Sequence, residues 1–321
     1  MREGDEKKVV GHVPVLASVV RELLPVKPDD VVVDATVGFG GHARLFADQL
    51  GPSGLLVGLD VDTQSLDRSR EALAGLPCRI ELVQANFAEL PGLLASLSIG
   101  KVDALLADLG VNSAQLDNPE RGFSFLHEGP LDMRIDPRLK ATAADIVNRM
   151  SEKDLGDLIY FNSQEPAARR IARAICTSRR DARVTTTGRL ASIVAGALKI
   201  DPDSRKAKVH PATRTFMALR MAVNDEVRNL ESLLNAAPDV LSPGGRFGVI
   251  AFHSVEDKPV KLDFRRRKNE RIYRIVTKKP ITADSEERDL NPRSRSAKLR
   301  VVERIVGTEP LEPDTEDFDD E

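Results

Sequence analysis

Residues 31–46 read Val31-Val-Val-Asp-Ala-Thr-Val-Gly-Phe-Gly-Gly-His-Ala-Arg-Leu-Phe46, and this stretch predicts the fold. An apolar run typical of a buried strand passes through a glycine-rich turn into a helix. Gly38 to Ala43 match the G-x-G-x-x-A form of a dinucleotide-binding fingerprint, and Asp60 ends the next apolar run about twenty residues further on. Strand, turn, helix and acid in this order predict a cofactor site. The alternative is a tight strand-to-helix turn followed by an unrelated acid.

Strand and helix patterns alternate along most of the chain, which predicts a Rossmann-like, doubly wound α/β sheet covered on both faces. The alternation stops after Asp108, because residues 131–208 read as helical and rich in Arg. It resumes with a helical pattern at 211–237 and a further strand. We therefore predict a helical domain inserted between the fourth and fifth strands. The five strand segments are 31–35, 54–60, 79–84, 102–108 and 246–252.

These patterns define the predicted domains. Residues 12–112 and 209–306 form the Rossmann-like domain, and residues 113–208 form the inserted helical domain, which is expected to recognise the substrate. Residues 1–11 are predicted to be a disordered lead and residues 307–321 an acidic disordered tail.

The overall charge is nearly neutral but unevenly distributed. The 321 residues carry 47 Lys and Arg against 50 Asp and Glu, for a formal charge of −3. Residues 308–321 hold eight acids and no base, whereas residues 261–304 hold fifteen Lys and Arg and seven Asp and Glu. A basic body with an acidic tail is common in proteins that bind nucleic acid. A solvated surface with a solubilising tail is the alternative.

Composition excludes several classes of protein. A hydrophobic content of 41% and a charged content of 30% exclude disorder throughout, a collagen-like repeat and a disulfide scaffold. No apolar run approaches the roughly 18 residues that span a membrane, and the N-terminus lacks a signal-peptide pattern. The two cysteines fit a reducing compartment, so a cytoplasmic location is expected.

Three acids end predicted strands, and their charge discriminates between cofactors. Asp34, Asp60 and Asp108 should meet at one crevice, since the carboxyl ends of parallel strands lie together. NAD carries a negative pyrophosphate, whereas S-adenosylmethionine carries a sulfonium and an ammonium. Three carboxylates therefore favour S-adenosylmethionine, with Asp60 accepting from the ribose hydroxyls. Asn86 and Phe87 follow the third strand, where they can contact the edge and the face of an adenine.

Several long motifs stand out in the sequence. They are Asp34-Ala-Thr-Val-Gly-Phe-Gly-Gly-His42, Asp108-Leu-Gly-Val-Asn-Ser-Ala-Gln-Leu-Asp117, Glu120-Arg-Gly-Phe-Ser-Phe125, Gly129-Pro-Leu-Asp-Met-Arg134, His210-Pro-Ala-Thr-Arg-Thr-Phe216, Phe252-His-Ser-Val-Glu-Asp257 and Arg295-Ser-Ala-Lys-Leu-Arg300. With these motifs, the chain resembles the bacterial 16S ribosomal RNA cytosine-N4 methyltransferases over residues 12–305. This resemblance implies a class I S-adenosylmethionine-dependent methyltransferase fold, and a cytidine in the decoding region of the small-subunit RNA as target.

The resemblance also implies which residues contact the cofactor. Asp34 is predicted to contact the cofactor as well, but only on the charge argument and not on the resemblance. The chain departs from the family at Asn112-Ser113-Ala114, where Ser-Ser-Pro is common, so no catalytic role is carried over to residue 112. The residues implied by the resemblance are Gly40, Gly41, His42, Asp60, Phe87, Asp108 and Gln115.

Methyl transfer to a cytosine amine needs a nucleophile whose lone pair is freed from the ring. An acceptor for one amine hydrogen assists this, and Asp108 or a neighbouring backbone carbonyl is the candidate. Asp108 serves equally well as a partner of the methionine ammonium, and both roles stay open. His253 follows the fifth strand and is a second catalytic candidate, with a structural hydrogen bond as the alternative. Phe123 and Phe125 are candidates for stacking on the base.

Other residues are candidates for RNA binding. Asp132, Arg134, His210 and Arg214 either contact RNA or form an ion network at the domain junction. Arg169, Arg170 and Arg173, and likewise Arg179, Arg180 and Arg183, give a helix a basic face suited to phosphates or simply to solvent.

Two competing functions and three properties complete the predictions. An NAD(P)-dependent oxidoreductase and a non-catalytic RNA-binding protein are the competing functions. The five His residues lack metal-ligand spacing, so no metal is expected. No membrane association is expected either, and a homodimer is left open.

Overall fold

The structure, a computed structural model, describes residues 14–200 and 210–305. The segments 1–11 and 307–321, which the sequence predicts to be disordered, lie outside the described residues.

Seven strands form a mixed sheet in the order β3-β2-β1-β4-β5-β7-β6. The first five strands run parallel, and β7 is antiparallel to both of its neighbours. The parallel part has the 3-2-1-4 order of a doubly wound sheet, so the predicted α/β fold class is confirmed. The strands are β1 (Val31–Asp34), β2 (Leu55–Asp60), β3 (Arg79–Gln84), β4 (Val102–Asp108), β5 (Leu241–Ala251), β6 (Tyr273–Ile275) and β7 (Lys298–Arg304).

Outside residues 110–231, helices and strands largely alternate, as the apolar patterns predict. Within the described part of 110–231 the helices follow one another without a named strand between them. In chain order they are α1 (Ala17–Leu23), α2 (Gly41–Ala47), α3 (Thr63–Ala72), α4 (Leu90–Ser96), α5 (Ser113–Asp117), α6 (Ala143–Arg149), α7 (Glu152–Ser163), α8 (Ala168–Asp181), α9 (Thr187–Leu198), α10 (Thr213–Val223), α11 (Glu226–Val240), α12 (Ser254–Asn269) and α13 (Ser285–Leu290).

The chain divides into two compact units, one of which is inserted into the other. The sheet unit takes in the chain up to Leu109 and from Ser232 onward, and the helical unit is Gly110–Glu231. The helical unit therefore interrupts the sheet unit between β4 and β5. The functional domain boundaries at 112 and 209 stay a prediction.

Each unit has its own apolar core. In the sheet unit, Leu16, Phe46 and Leu106 are among the fully buried side chains that pack α1 and α2 against the strands. In the helical unit, Ile159 and Ile171 are fully buried between α7 and α8. Burying one such side chain contributes about 1.5–3 kcal/mol, so each unit is stabilised from within.

The register of the parallel strands brings their carboxyl ends to one edge of the sheet. Asp34 pairs with Leu106 of β4, and Asp108 at the end of β4 pairs with Ile250 of β5. Asp60 ends β2, the neighbour of β1 on the other side. We call this edge the crevice edge. The edge at which the parallel strands begin is called the opposite edge. The crevice edge is where doubly wound folds bind their ligands.

Candidate cofactor site at the crevice edge

A glycine turn joins β1 to α2 and lies across the crevice edge. Gly38 and Gly40 have φ angles of +53° and +83°, a backbone conformation that favours glycine. The Gly38 N–H donates to Asp60 Oδ2 at 3.1 Å, and the Ser69 hydroxyl donates to the Gly38 carbonyl at 2.7 Å. A Cβ on Gly41 would meet Pro14 Cβ at 3.2 Å. The turn is thus held in place by β2 and α3. Because its glycines have no side chains, their backbone is open to a ligand at the site.

Asp60 supports the turn and retains acceptor capacity. Its two carboxylate oxygens accept from the N–H groups of Gly38 and Asp62, at 3.1 and 2.9 Å. Burial raises the pKa of Asp60 to about 6, although these hydrogen bonds oppose the shift. Each carboxylate oxygen has a second lone pair. Asp60 can therefore still accept from a ligand hydroxyl, as its predicted role requires.

Asp34 is a buried carboxyl with one unsatisfied oxygen. Its Oδ1 accepts from the Thr36 N–H at 3.2 Å, and the Ala43 N–H also lowers the pKa of this carboxyl, whereas no hydrogen bond of normal geometry reaches its buried Oδ2 within the described residues. Burial raises the pKa of Asp34 to about 7, and the nearby charge of Asp60 adds to the effect. A buried polar atom without a partner is costly, so Oδ2 indicates a place where a ligand donor or a cation would be accommodated.

Asp108 presents a similar arrangement at the end of β4. Its backbone N–H donates to Thr36 Oγ1 at 2.7 Å, which fixes the strand end beside β1. Its Oδ1 is buried and lacks a hydrogen-bond partner among the described groups, while a quarter of the side chain is exposed. Burial raises the pKa of Asp108 well above its usual value, and the negative charges of Asp34 and Glu256 raise it further.

His42 lies on α2 and connects Asp108 to the backbone before α1. The imidazole is buried, its Nε2 is 2.8 Å from the Val15 carbonyl oxygen, and its Nδ1 is 3.6 Å from Asp108 Oδ2. Because a carbonyl only accepts, Nε2 carries the proton of that hydrogen bond. Two states are then possible. Either Nδ1 is unprotonated and can face a protonated Asp108, or Nδ1 carries a proton and the ring is an imidazolium. The structure thus gives His42 a role that the sequence does not predict, as a partner of Asp108.

Phe87 and Gln115 complete the predicted cofactor contacts. Phe87 is half-buried in the turn after β3, where the Asn86 side chain accepts from the Ala88 N–H at 2.9 Å. Gln115 belongs to the helical unit, where it is buried and caps α5. Its Oε1 accepts from the Asn112 N–H at 3.0 Å, and Asn112 Oδ1 accepts from the Gln115 N–H at the same distance. Their roles toward the cofactor stay predictions.

His253 lies at the N-terminus of α12, just beyond the end of β5. Its Nε2 is 3.1 Å from Glu256 Oε1, although without the alignment of a hydrogen bond. Glu256 is buried and accepts the Phe252 N–H at 2.9 Å through its other oxygen. This local pairing supports the structural alternative for His253, and its catalytic role stays a prediction.

Sequence reasoning missed three contributors to the site: Thr36, Val15 and Glu256. Thr36 stands two residues after Asp34, and Glu256 opens α12, so a hydroxyl or an acid at a strand-to-helix turn was the available signal. The Val15 carbonyl carried no signal, because any residue supplies a backbone acceptor.

The proposed RNA contacts at the domain junction lie in the helical unit, where they have intramolecular partners. Arg134 donates to both oxygens of Asp132 at 2.7 Å, and this ion pair lowers the pKa of Asp132. The His210 ring stacks on Phe125 with the centroids 4.2 Å apart. Arg214 lies 3.6 Å from the carboxylate of Glu165. Phe123, the other predicted stacking residue, is buried.

The Arg-rich helix α8 is more paired than its sequence suggests. Arg169 pairs with Asp157 of α7, and Arg173 pairs with Glu152 at 3.3 Å. Arg179 donates to the Val147 carbonyl at 2.7 Å. Arg170, Arg180 and Arg183 are exposed and remain candidates for phosphate binding.

The residues of the crevice edge fit S-adenosylmethionine. Asp34 and Asp108 each offer a buried oxygen without a partner, and carboxylates suit the sulfonium and ammonium charges of this molecule. The glycine turn, which has no side chains at Gly38, Gly40 and Gly41, lets the ligand approach the backbone beside Asp60.

None of the helices within 14–200 and 210–305 combines the length and apolar character needed to cross a lipid bilayer.

Comparison with known proteins shows which proteins this chain is similar to. A protein of Cyanothece named ribosomal RNA small subunit methyltransferase H is 46% identical over 298 residues, covering 93% of this chain and 96% of the relative. A protein of the same name from Syntrophus aciditrophicus is 44% identical over 315 residues, covering 94% and 99%. The solved structure of an rRNA methylase from Streptococcus thermophilus covers 90% of this chain and 94% of its own, with 12% identity and a TM-score of 0.41.

The family model named MraW methylase family matches residues 9–305. This match confirms the resemblance drawn from the motifs and argues against the NAD(P)-dependent oxidoreductase. The chain belongs to the MraW methylase family.

Proposed function

We propose that this chain methylates the exocyclic N4 amine of a cytidine in the decoding region of 16S ribosomal RNA. It is an S-adenosylmethionine-dependent methyltransferase, and its relatives are named for small-subunit ribosomal RNA. The observation that carries the proposal is the row of acids at the crevice edge, with partnerless buried oxygens on Asp34 and Asp108. That edge offers negative charge both to a cationic methyl donor and to an amine.

The residues of the crevice edge divide the work of binding. S-adenosylmethionine, when bound, supplies an electrophilic methyl group on a positively charged sulfur. The Gly38–Gly41 turn would provide backbone close to the ligand, and Asp60 would accept from its ribose hydroxyls. Asp34 would hold the cationic part of the ligand through Oδ2. Binding a cation beside a carboxyl of raised pKa favours its ionised form, so the site gains charge complementarity as it loses protons.

Asp108 is the proposed acceptor for a hydrogen of the cytosine amine. Accepting that hydrogen localises the lone pair on nitrogen as attack proceeds, and rate then depends on holding amine and methyl group in line. The ionised form of Asp108 is needed for this, and His42 can take up the proton through Nδ1. In the alternative role, Asp108 binds the methionine ammonium and fixes the cofactor.

The helical unit is proposed to hold the RNA, and the exposed Arg180 and Arg183 support this assignment. Chemistry on a base requires that the base leave the stack. Contacts to the phosphates that flank a flipped cytidine therefore suit the reaction. The absence of a metal requirement, the cytoplasmic location and a homodimer stay predictions.

The test is transfer of labelled methyl groups to naked 16S RNA and to assembled small subunits, followed by mass spectrometry of the nucleosides. N4-methylcytidine is the expected product, and label on adenosine or no label at all contradicts the proposal. An Asp60→Ala variant serves as a cofactor-site control. Its dissociation constant for S-adenosylmethionine should rise, and an unchanged constant removes Asp60 from the site.

A further inference from the structure

The basic C-terminal segment is divided between the two edges of the sheet. β7 is antiparallel to β5, so Lys298 at its start pairs with Ala251 at the crevice edge. Arg304 at its end pairs with Tyr273, the first residue of β6, at the opposite edge. The cations that the sequence groups together therefore belong to two separate surfaces.

Four of these cations form what we call the crevice-edge cluster: Lys278, Lys279, Arg293 and Arg295. Lys278 and Lys279 are exposed in the loop after β6, which returns to β7 where the Ile281 N–H donates to the Leu299 carbonyl at 2.9 Å. Arg293 is half-buried and Arg295 exposed, in the short 3-10 helix Pro292–Ser296 that leads into β7. Both pieces flank the start of β7, on the edge where Asp108 ends β4.

The crevice-edge cluster differs from its surroundings in having no carboxylate partner within the described residues. At the opposite edge, Arg266 is 2.6 Å from the carboxylate of Asp263, and Arg274 pairs with Glu303. Lys298 and Arg300, which follow the cluster along β7, both pair with Asp257. At these four positions the positive charge is neutralised within the protein, whereas the four cluster residues keep theirs available.

The backbone that carries the cluster is well anchored. Ser294, between the two Arg residues, is fully buried, and its hydroxyl donates to the Asn291 carbonyl at 2.8 Å. Ala297 is also fully buried, and its N–H donates to the Ser294 carbonyl at 3.0 Å. Cations on a fixed backbone lose less conformational freedom on binding than cations on a free chain.

We propose that the crevice-edge cluster binds the phosphates of the RNA strand that delivers the target base to the crevice. The proposal rests on the proposed function, since it assigns to the sheet unit a contact surface for that substrate. Phosphate oxygens match the donors of Arg and Lys, and the surface lies at the edge where the base must enter. The proposal assigns no contact to the opposite edge, where Arg266 and Arg274 are paired with acids.

The test compares charge removal at the two edges. One double variant is Lys278→Gln with Lys279→Gln, and another is Arg293→Gln with Arg295→Gln. The control is Arg265→Gln with Arg271→Gln, which removes the same charge from exposed positions toward the opposite edge. The dissociation constant of a short single-stranded RNA carrying the target cytidine is measured over a range of salt concentrations. Calorimetric titration with S-adenosylmethionine checks that each variant is folded, and all three should bind it as the wild type does.

Each phosphate contact contributes roughly 0.7 to the slope of log affinity against log salt for single-stranded nucleic acid. The slope should therefore fall by about 1.4 in each crevice-edge variant and stay unchanged in the control. Wild-type slopes in both crevice-edge variants, or an equal fall in the control, overturn the inference.

The outcome separates this inference from the proposed function. If the wild type methylates the RNA but the crevice-edge variants keep its salt slope, the inference fails while the function stands. If the wild type gives no N4-methylcytidine and the slope still falls in these variants, the function fails and the phosphate surface stands.

Discussion

His42 Nδ1 lies 3.6 Å from Asp108 Oδ2, while Nε2 of the same ring hydrogen-bonds to the Val15 carbonyl at 2.8 Å. The second contact fixes the ring and its tautomer, and the first places Nδ1 beside the carboxyl of Asp108. If the two side chains are neutral, the proton is on the carboxyl of Asp108. If they form an ion pair, the proton is on Nδ1 of His42. The ionised carboxylate that the amine requires is therefore best stabilised when Nδ1 is protonated.

The first prediction concerns Asp108 itself. Replacing Asp108 with Asn keeps the shape of the side chain but removes its charge, so kcat should fall about 10²- to 10⁴-fold, as for loss of a group that moves protons. Single-turnover methyl transfer at saturating S-adenosylmethionine measures this effect. Turnover close to that of the wild type assigns Asp108 no part in the reaction. A raised dissociation constant for the cofactor with unchanged turnover assigns it to the ammonium instead.

The second prediction concerns the contribution of His42. The His42→Gln variant can retain a donor for the Val15 carbonyl, but it removes the titratable Nδ1 beside Asp108. If Nδ1 carries a proton while Asp108 is ionised, the variant removes a positive partner of that carboxylate, and the pKa of Asp108 should rise. The acid limb of the kcat profile should therefore move to higher pH, with maximal turnover recovered at alkaline pH. A uniform loss of kcat at every pH points to a purely structural role for His42.

The acids at the crevice edge could be predicted from the sequence, because parallel strands end together and the strands were evident as apolar runs. The tie between His42 and Val15 could not, since it depends on where α1 packs. Likewise, the sequence predicts that the fifth strand begins at residue 246. In the structure Leu241 already pairs with Val102, and residues 242–245 bulge out of β5.

The helix α8 illustrates a further limit of sequence reasoning. Its Arg spacing predicts a basic helix face that includes Arg183, but α8 ends at Asp181. Only the packing of α7 against it reveals that Arg169 and Arg173 are paired with acids. The same limit applies to the basic C-terminal segment, whose cations are sorted between two edges by the direction of β7. Charge counts along a chain identify basic segments, whereas the pairing of strands and helices decides which charges remain available.

The third prediction is that cofactor affinity depends on pH through Asp34 and Asp60. Their pKa values are raised to about 7 and about 6, so both become protonated as pH falls and cease to attract a cation. Affinity for S-adenosylmethionine should weaken as pH falls through this range, and binding near neutrality should release protons. Calorimetry in buffers of different ionisation enthalpy measures that release.

S-adenosylhomocysteine provides the matched control for the third prediction, since it lacks the sulfonium charge. Its affinity should depend less steeply on pH than that of S-adenosylmethionine. The Asp34→Asn variant should bind S-adenosylmethionine more weakly at neutral pH and lose part of its pH dependence. Equal slopes for both ligands and for the variant contradict the role of these acids.

The fourth prediction uses Asp34 and Asp257 as opposite cases of stability linked to pH. Burial raises the pKa of Asp34 from 3.8 to about 7, so the folded state binds more protons than the unfolded state between these values. Stability is then lost as pH rises, by at most roughly 4 kcal/mol once pH exceeds the folded pKa. Asp34→Asn removes this cost, and the melting temperature should exceed that of the wild type more at about pH 8 than at about pH 5.

Asp257 reverses the sign, because Arg300 at 2.7 Å and Lys298 favour its ionised form and lower its pKa. That stability is present above the unfolded pKa and is lost as pH falls through the folded one. Asp257→Asn should therefore lower the melting temperature most at neutral pH and least in acid. Thermal unfolding of both variants across pH gives differences of opposite slope if the two environments act as described. Parallel slopes would mean that the positive charges at Asp257 do not outweigh its burial.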